Sequence, residues 1–534
     1  MRKKTFYRNM KSILLTFFLL LMLMAQNSFS QKIPKSYNIA TSRSASSLDA
    51  TPKSNTIEKV LLVGDTIWIA SSKGLSKSTN NGTGWTNYYD SAEFGTESIS
   101  AIASANGIFC ASTWHYEETT TGRFPVGSGI KISTNYGKSW TKIDQMVDNY
   151  NDSLITYGSN SIKALPVTTT VQNFIRDIAV VNNTIWVASN SAGIRKSSDF
   201  GATWQRVILP PDNLDSIKPT DQLTFQLRPK AGSTGNLNHI GFSILAVDKD
   251  TLYVGTAGGI NKTTDGGISW TKFSHTNQNS SISGNHILKI RQNQFDKSIW
   301  AATWKAEDQT EYWGVSNTYD GGKTWKVTLN DSRTLDFVFP EIKTGSVTTS
   351  TDVIALTQEG LYRTSNKGNN WIIAPKIKDS QTNILMLSEY FLGGAINHQK
   401  SPVELWFGSL DGLTRLKQLN SNFWEGDWNI FFVSAPLQSK DESYAFPNPF
   451  SPGSGTVRIK YSVQTPANVT IQILDFGMNL VRTIIQNAPR NAGTIFDLWN
   501  GRDEKGNTVP NGVYFYRIEI NNEKPLFGKI MAVR

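Results

Sequence analysis

Two stretches of this chain are rich in both aromatic residues and carboxylates, which are side chains that can bind a ligand. The first holds Trp114, Tyr116, Glu117 and Glu118, and the second holds Trp304, Glu307, Asp308, Glu311, Tyr312 and Trp313. Aromatic faces stack on sugar rings or prolines, while carboxylates bind hydroxyls or basic side chains. Two carboxylates on opposite walls of a cleft could also serve a glycosidase as acid and as base or nucleophile. The carboxylates are therefore catalytic candidates and the aromatic residues are ligand-binding candidates, although solvated loops with packed tryptophans would show the same pattern.

Six octets with the pattern Ser/Thr-x-Asp/Asn-x-Gly-x-x-Trp divide the chain into repeats. They begin at Ser78, Ser133, Ser197, Thr263, Thr318 and Thr364, and read STNNGTGW, STNYGKSW, SSDFGATW, TTDGGISW, TYDGGKTW and TSNKGNNW. The Asp or Asn side chain can close a turn by accepting hydrogen bonds from backbone N–H groups two or three residues on. The Gly supplies a positive φ, and the Trp can bury its ring against the neighbouring unit. We therefore expect the octets to be structural turns and not ligand sites.

Apolar strand pairs precede the octets, for example at 59–78, 177–197 and 244–263. A seventh unit has strands at 384–387, 405–408 and 412–416, with Trp424 in the place of the octet Trp. The octets resemble the Asp-box, the bacterial neuraminidase repeat of sialidases, xyloglucanases, sortilin-like receptors and photosystem assembly propellers. The resemblance and the repeat period predict an all-β fold with a seven-bladed β-propeller over residues 56–436.

The propeller prediction places the two candidate stretches on one face. Connections between the second and third strands of a blade, and between successive blades, gather there. Blades two and five lie three positions apart in a ring of seven, so their long second-to-third loops could face one another. We expect the connections 144–174 and 210–241 to wall the same face. Either the segment before residue 56 or residues 428–433 could pair with a terminal blade and remove an exposed edge.

A different pattern begins after a predicted linker at 437–445. Alternating strands at 456–462, 468–475, 480–486 and 512–520 predict a small β-sandwich at 446–534. The segments AFPNPFSPGSG (445–455), LWNGRDEKGNTVPNGVYFYRI (498–518) and FGKIMAVR (527–534) resemble the C-terminal sorting domain of type IX secretion cargo. The core of that domain is similar to the Ig-like domain of flagellar hook capping proteins. The resemblance implies a Bacteroidetes-type bacterium and the type IX secretion machinery as a partner.

The N-terminal residues predict export. Residues 1–30 have a basic start, an apolar run at 13–25 and small residues before Gln31, as in a signal peptide; residues 31–55 are a predicted linker. The apolar run is shorter than a membrane-spanning helix, so we expect no transmembrane segment after signal removal. The expected location is the medium or the outer cell surface, reached through the periplasm.

Composition excludes several classes of function. Beyond the signal peptide 48 basic residues face 43 acidic ones, without a basic cluster interleaved with aromatics, so we expect no nucleic-acid partner. Cys110 is the only cysteine and lies in an apolar stretch, where a buried inert thiol is expected. The histidines are scattered and no cofactor fingerprint is present, so we expect neither metal nor cofactor.

The same residues lead to three hypotheses of function. The arginine-bearing Phe/Tyr-Arg-Ile-Pro segment that sialidases carry does not precede Ser78, which argues against that activity. Xyloglucanases resemble the blades but carry two propellers. We expect a non-enzymatic, exported propeller that binds a glycan or a surface protein through its loop-bearing face. The alternatives are a glycoside hydrolase acting on a polysaccharide at that face and an envelope assembly factor with a protein client.

Overall fold

The computed structural model describes residues 51–120, 122–230, 232, 234–344, 347–419, 422–434, 437, 439–453, 455–521 and 523–533. The predicted signal peptide and most of the predicted linker before residue 56 lie outside these ranges. Within them the chain forms strands, apart from a three-residue 3₁₀ turn at Leu237–His239. The predicted all-β class is confirmed.

Seven antiparallel sheets, here called blades one to seven, follow one another along the chain; six have four strands and blade four has a fifth at its outer edge. Blade one is β1 (Ile57–Val63), β2 (Thr66–Ser71), β3 (Gly74–Ser78) and β4 (Thr86–Asn87); blade two is β5 (Ser98–Ala105), β6 (Ile108–Thr119), β7 (Gly122–Ser133) and β8 (Thr141–Ile143). After β9 (Leu154–Tyr157) and β10 (Asn160–Ala164), blade three is β11 (Ile175–Val181), β12 (Thr184–Ser189), β13 (Gly193–Ser197) and β14 (Gln205–Arg206). After β15 (Ser216–Ile217) and β16 (Gln226–Leu227), blade four is β17 (Gly241–Ala246), β18 (Leu252–Thr256), β19 (Ile260–Thr263) and β20 (Trp270–Phe273).

The second half of the ring repeats this order. Blade five is β21 (His286–Gln292), β22 (Ile299–Trp304), β23 (Gly314–Thr318) and β24 (Lys326–Thr328). Blade six is β25 (Thr334–Val338), β28 (Val353–Thr357), β29 (Leu361–Thr364) and β30 (Ile372–Ile373), with an inserted hairpin of β26 (Glu341–Thr344) and β27 (Val347–Thr351). Blade seven is β31 (Phe391–Asn397), β32 (Glu404–Ser409), β33 (Gly412–Gln418) and β34 (Gly426–Phe431).

The first strand of every blade contacts the first strand of the next, and β31 contacts β1, so the seven blades close into a ring. Blades seven and one are each built from one continuous stretch of chain, without strand exchange between them. Residues 51–55, the described part of the segment before residue 56, do not form a strand. The Gly412 N–H donates to the Asn55 carbonyl, and the Asn55 side chain hydrogen-bonds the backbone of Val433. Residues 426–431 form the outer strand of blade seven itself. Ring closure therefore rests on packing and side-chain bonds between complete blades.

The inner strand of blade seven was predicted at the wrong place. It is β31, not residues 384–387, which precede it. The sequence FLGGAIN does not indicate a strand, because glycines in the interior of a strand usually weaken or interrupt it. Here Gly393 permits a close contact between blades seven and one, since an added Cβ would lie 2.7 Å from the Glu58 carbonyl oxygen.

All six octets form the same hydrogen-bonded turn. In the third copy, Ser197 Oγ donates to Asp199 Oδ1 (2.7 Å) and accepts from the Gly201 N–H (2.8 Å), while Asp199 Oδ1 accepts from the Thr203 N–H (2.9 Å). The other copies repeat these three bonds. The octet glycines have φ between +74° and +102°, as predicted. The carboxylate or amide accepts from the N–H four residues on in every copy, and in the second and fourth copies it also accepts from the N–H three residues on, as predicted.

The octet tryptophans connect neighbouring blades. Trp140 packs against Trp68 of blade one, and Trp371 packs against Trp300 of blade five. Trp85 shares a buried core with Trp406 of blade seven, and so seals the junction where the ring closes. Trp424 is buried and donates to the carbonyl of Ile372 in blade six, although its octet has lost the glycine. Its predicted place in the repeat agrees with the structure.

A cationic side chain reinforces four of these junctions. It reaches from one blade to the carbonyl preceding the octet glycine in the next, and it lies over an aromatic ring of its own blade. In each of the following sets the cation comes first, the residue that supplies the carbonyl second and the ring third: Lys77, Tyr136 and Trp68; Lys196, Gly266 and Trp186; Lys262, Gly321 and Tyr253; Arg415, Asn81 and Trp406. Cation–π contact lets a charged group take part in a largely apolar junction.

Parts of the connections 144–174 and 210–241 form a small sheet of β9, β10 and β16. Other residues of these connections, such as Phe174 and Asn238, contact the second-to-third connections of blades two and four, as predicted. β15 adds a fifth strand to the outer edge of blade four, beside β20. Tyr157 Oη donates to the Ile268 carbonyl in an octet turn, at the opposite end of the blade from the second-to-third loops. The prediction that these connections wall the loop-bearing face was wrong for this sheet, which instead covers outer strand edges.

The C-terminal segment is an Ig-like sandwich of two sheets. One contains β35 (Tyr444–Phe446), β36 (Val457–Val463) and β39 (Gly493–Trp499); the other contains β37 (Ala467–Leu474), β38 (Leu480–Arg490), β40 (Gly512–Ile520) and β41 (Leu526–Ala532). Between them lies a core that includes Trp499, Tyr461, Tyr516 and Ile471. With this sandwich, the predicted fold class is confirmed in both parts.

The sandwich packs against blade seven. Arg458 of β36 is 1% exposed, donates to both Asp411 carboxylate oxygens at 2.7 Å, and donates to the Leu385 carbonyl at 2.9 Å. Phe432, just after β34, contacts Phe446 and Phe496 of the sandwich. Asp411 lies in the turn between β32 and β33, so this contact is on the loop-bearing face of the ring.

Candidate ligand-binding site

A β-bulge interrupts the inner strand of every blade at the same register. The extra residues are Glu58, Ser100, Arg176, Phe242, Leu288, Leu335 and Leu392, one from each blade. All seven line a single cavity of about 260 Å³ between the inner strands. A bulge redirects the side chain of its extra residue. The repeated bulge therefore gives each blade one side chain in a shared cavity at the mouth of the central channel.

Aromatic rings continue from this cavity across blades two to five. We call Tyr116, Trp114, Phe174, Phe242 and His286 the aromatic arc. Tyr116 and Trp114 lie 4.8 Å apart between ring centroids, Trp114 stacks on Phe174 at 5.6 Å, and Phe242 meets His286 edge-on at 5.5 Å. Most of these rings are only partly buried, so they offer apolar faces to a ligand.

Arg176 joins the two halves of the aromatic arc. Its guanidinium lies 5.0 Å from the Phe174 ring centroid and 4.9 Å from that of Phe242, and its Nε donates to Asn190 Oδ1 at 2.6 Å. Burial lowers the pKa of Arg176 to about 10, so the side chain remains charged at neutral pH. Among the described residues, no carboxylate forms an ion pair with Arg176 and its two Nη atoms have no hydrogen-bond partner.

Glu58 and Lys59 bring the remaining charges of the cavity lining. Burial raises the pKa of Glu58 to about 7, and the nearby Lys59 ammonium opposes this shift. Glu58 therefore gains and loses its proton near neutral pH. A carboxyl group poised in this way is a frequent feature of ligand sites.

The floor beneath the cavity is built from residues that follow the bulges. Lys289 Nζ lies 2.9 and 2.8 Å from the two Asp177 carboxylate oxygens, and Ser243 Oγ and the Ile244 N–H donate to the same carboxylate. A second pair joins Arg291 to Asp336 at 2.8 and 3.0 Å. Burial would raise the pKa of Asp336, but Arg291 outweighs burial and lowers it to about 2. The floor charges are thus paired with one another.

The predicted residues of blade two lie on an extended hairpin and not in a loop. Strands β6 and β7 continue to Thr119 and Gly122, which corrects the predicted second-to-third loop. Trp114 and Tyr116 line the cavity. Glu117 is exposed on the hairpin, and Glu118 pairs with Arg123 at 3.5 Å, both largely exposed.

Trp304 ends β22, and the other predicted residues of blade five lie in a true loop between β22 and β23; all of them are outside the cavity lining. Trp304 Nε1 donates to the Thr334 carbonyl at 2.8 Å. The Arg333 guanidinium lies over the Trp313 ring, with its central carbon 4.8 Å from the ring centroid. The Tyr312 N–H donates to the Ser283 carbonyl at 3.0 Å.

The blade-five carboxylates are mostly engaged within their own loop. Glu311 is buried, which raises its pKa, and it accepts from Asn285 Nδ2 and from the Ala306 N–H. Asp308 accepts from the Thr310 N–H at 2.7 Å. Glu307 is exposed and lies close enough to His286 for its charge to act on that imidazole, which links the loop to the aromatic arc. The described contacts do not pair a blade-two carboxylate with a blade-five one.

Four residues of the site, Glu58, Phe174, Arg176 and Phe242, were not predicted from the sequence. Each lies at or next to an inner-strand bulge, where one added residue breaks the alternation that marks a strand. Alignment of the repeats on their octets would not have revealed these positions. The distance from the bulge residue to the octet ranges from 20 residues, between Glu58 and Ser78, to 33 residues, between Ser100 and Ser133.

In the parts of the chain that the structure describes, no cluster of three His, Cys, Asp or Glu side chains is placed to hold a metal ion. Across the same residues, no helix has the length and apolar character needed to cross a membrane. Cys110 is fully buried, and burial raises the pKa of its thiol to about 12, in agreement with the predicted inert role.

The fold and site together define a seven-bladed β-propeller followed by an Ig-like domain. Residues 448–524 match the FlgD Ig-like domain family. Among solved structures, an ancestral GH74 enzyme is 15% identical with a TM-score of 0.50, covering 91% of this chain and 64% of its own length. The GH74 xyloglucanase from Xanthomonas campestris is 12% identical with a TM-score of 0.48, covering 77% of this chain and 59% of its own length.

A third similar structure is PorZ, a bacterial surface component of the type IX secretion system of Porphyromonas gingivalis. It is 13% identical with a TM-score of 0.21, over 90% of this chain and 87% of its own. The ancestral GH74 enzyme shows the fold alone, and the other two superpose too loosely to carry an argument. This chain spans under two thirds of each GH74 protein's length. None of the curated protein sequences matches it significantly.

Proposed function

We propose that this protein is an exported, non-enzymatic β-propeller that binds a glycan at the aromatic arc. The supporting observation is the partly exposed series of rings around one cavity, contributed by four blades. Stacking on such rings is the general way in which proteins hold the apolar faces of a ligand. A rigid ring of blades fixes their mutual positions without needing a mobile loop.

We further propose that the C-terminal domain is a type IX sorting domain that delivers the propeller to the cell surface or the medium. Its match to the FlgD Ig-like domain supports the fold of that domain, and the FPNPF and basic terminal segments support the sorting role. The predicted signal peptide would bring the chain to the periplasm first. Deleting β41 from the full chain should trap the protein there, which cell fractionation would measure. Unchanged surface delivery would refute the sorting role.

The glycoside hydrolase alternative has less support. Catalysis by two carboxylates needs both to flank one scissile bond. Glu118 pairs with Arg123, Glu311 is bound inside its own loop, and Glu117 and Glu307 are exposed on different blades. The envelope assembly alternative differs in ligand class, and the binding experiment below separates it from glycan binding.

The test uses residues 31–534 on a glycan array and, in parallel, on immobilised envelope proteins. Tyr116→Ala should weaken glycan binding about two- to tenfold, because a ring contact contributes about 0.5–1.5 kcal/mol. Tyr150→Ala is the matched control, since Tyr150 is 86% exposed and does not line the cavity. Capture of an envelope protein without any glycan binding would refute the proposal in favour of a protein client. A reducing-end assay on bound polysaccharides would detect hydrolysis, and released product would refute the non-enzymatic assignment.

A further inference from the structure

The cavity lining carries more positive than negative charge. Of the residues that line it, Lys59 and Arg176 are cationic, and only Glu58 is a carboxylic acid. The floor does not offset this excess, because Asp177 and Asp336 are each engaged by a cation of their own. Lys59 forms no ion pair within the described part of the chain. An anion entering the cavity would therefore meet Arg176, which has no carboxylate partner among the described residues, and Lys59, whose charge acts on Glu58, Asp177 and Asp336 without an ion pair to any of them.

Arg176 is held in the geometry that suits a carboxylate. Two aromatic rings fix the plane of its guanidinium, and Asn190 occupies the Nε edge. The two Nη atoms remain for a ligand, and a guanidinium binds a carboxylate through two parallel N–H···O bonds. Because the side chain is already immobilised, little rotamer entropy remains to be lost on binding. The neighbouring rings of Phe174 and Phe242 would contact the rest of the ligand.

On this geometry we infer that the cavity is a carboxylate subsite, and that the glycan bound by the aromatic arc is an acidic one containing uronic acid residues. The inference rests on the proposed function and narrows its ligand class. Arg176 binds the carboxylate, Lys59 adds electrostatic attraction, and the aromatic arc stacks on the sugar rings that follow. Leu288, Leu335 and Leu392 form the apolar side of the cavity, where a sugar's C–H face fits.

Glu58 makes this subsite sensitive to pH. The charged groups around it are Lys59 on its own strand, Arg176 at the cavity, and the floor pairs Lys289–Asp177 and Arg291–Asp336; Leu392 and Gly393, from blade seven, add none. Its pKa of about 7 means that Glu58 becomes largely ionised between pH 6 and 8. Ionised Glu58 repels the ligand carboxylate and competes for the cations. Affinity should therefore fall as pH rises through this range, and Glu58→Gln should flatten the dependence.

Calorimetric titration of residues 31–534 tests the subsite with galacturonate, glucuronate and mannuronate oligosaccharides, each beside its uncharged methyl ester. At least one acid should bind about ten- to a hundredfold more tightly than its ester, as expected for a charge-assisted pair. Arg176→Met should remove this difference, while Arg176→Lys, which keeps charge but loses the fork, should retain part of it. Arg333→Met is the matched control, because the Arg333 guanidinium also lies over a ring, that of Trp313 at 4.8 Å, but Arg333 is exposed and outside the cavity lining. Thermal scans establish that each variant is folded.

Each other outcome has a distinct meaning. Acid and ester binding equally well, with Arg176→Met unchanged, would overturn the carboxylate subsite and leave glycan binding intact. Failure of these sugars together with every glycan on the array would overturn both proposals. Binding of a glutamate-rich peptide that depends on Arg176, with no binding of uronates, would overturn the acidic glycan in favour of an acidic protein segment.

Discussion

Replacing Lys289 with methionine should strongly destabilise the propeller. The Lys289–Asp177 pair is about 7% exposed on each side, and methionine preserves most of the lysine stem while removing its charge. Asp177 would keep only Ser243 Oγ and the Ile244 N–H as donors, at 3.1 Å each. Removing one member of a buried ion pair leaves an uncompensated charge and costs about 3–5 kcal/mol. We expect a loss of that size in the free energy of unfolding at pH 7.

The chain provides a matched control in Lys249→Met. Lys249 and Asp250 are closer, at 2.6 Å, but are 67% and 50% exposed. Exposed pairs contribute about 0–1 kcal/mol, so this variant should remain near wild type. Urea unfolding followed by tryptophan fluorescence would compare the two. Equal losses from both variants would refute the argument that burial, and not distance, sets the energy of these pairs.

The pH dependence provides a second check on the same argument. In the wild-type protein burial opposes ionisation, but Lys289 prevails and lowers the pKa of Asp177, so the pair stabilises the fold at neutral pH and stability is lost in acid. Without Lys289, burial dominates and raises that pKa. The deficit of Lys289→Met should then shrink as the pH falls and Asp177 takes up a proton. Asp177→Asn added to Lys289→Met should recover part of the loss at pH 7. A deficit that does not change with pH would contradict the electrostatic explanation.

Two further predictions concern the blade scaffold. Hydrogen bonds from the Thr203 hydroxyl and N–H lower the pKa of Asp199 to about 2, below its unfolded value of about 3.9. The ionised Asp199 carboxylate therefore stabilises the folded protein above about pH 4, and this contribution is lost as the pH falls towards about 2. The difference in melting temperature between wild type and Asp199→Asn should therefore narrow over that range in calorimetric scans; a constant difference would show that the carboxylate charge is irrelevant to the turn. Gly393→Ala should lower the free energy of unfolding in urea by about 1–3 kcal/mol, since the added Cβ would lie 2.7 Å from the Glu58 carbonyl oxygen. Gly512→Ala is the control and should leave stability unchanged, because no atom lies nearer than 3.9 Å to its added Cβ. Equal effects of the two variants would mean that blades seven and one are not in close contact.

The sequence predicts the scaffold well because its information is local and repeated. Each octet carries its own turn chemistry, and six copies in register leave little choice of architecture. The first strand of blade seven, β31, was not predicted because Gly393 and Gly394 weaken strand propensity. The ring nevertheless requires small residues at these two positions. Its position is set by contact with a blade more than 300 residues away in sequence, which local patterns do not encode.

The candidate site was only partly predictable for the same reason. Trp114 and Tyr116 stand out as aromatic residues beside carboxylates, and they do line the cavity. Arg176 and Glu58 lie in strands whose other residues are ordinary core positions. Their role depends on a bulge, on the ring that gathers seven bulges, and on the absence of a carboxylate partner for Arg176 within the described residues. None of these properties belongs to a short segment of sequence.

The side chains at the seven inner-strand bulges line the cavity, whereas the tryptophans and octet turns hold the blades together, so the two roles belong to different residues. Exchanging one bulge residue alters a single position around the cavity and leaves the interlocked tryptophans and octet turns untouched. Seven such positions, each free to vary on its own, would let descendants of this protein acquire new ligand preferences one substitution at a time, with a frame that need never be rebuilt.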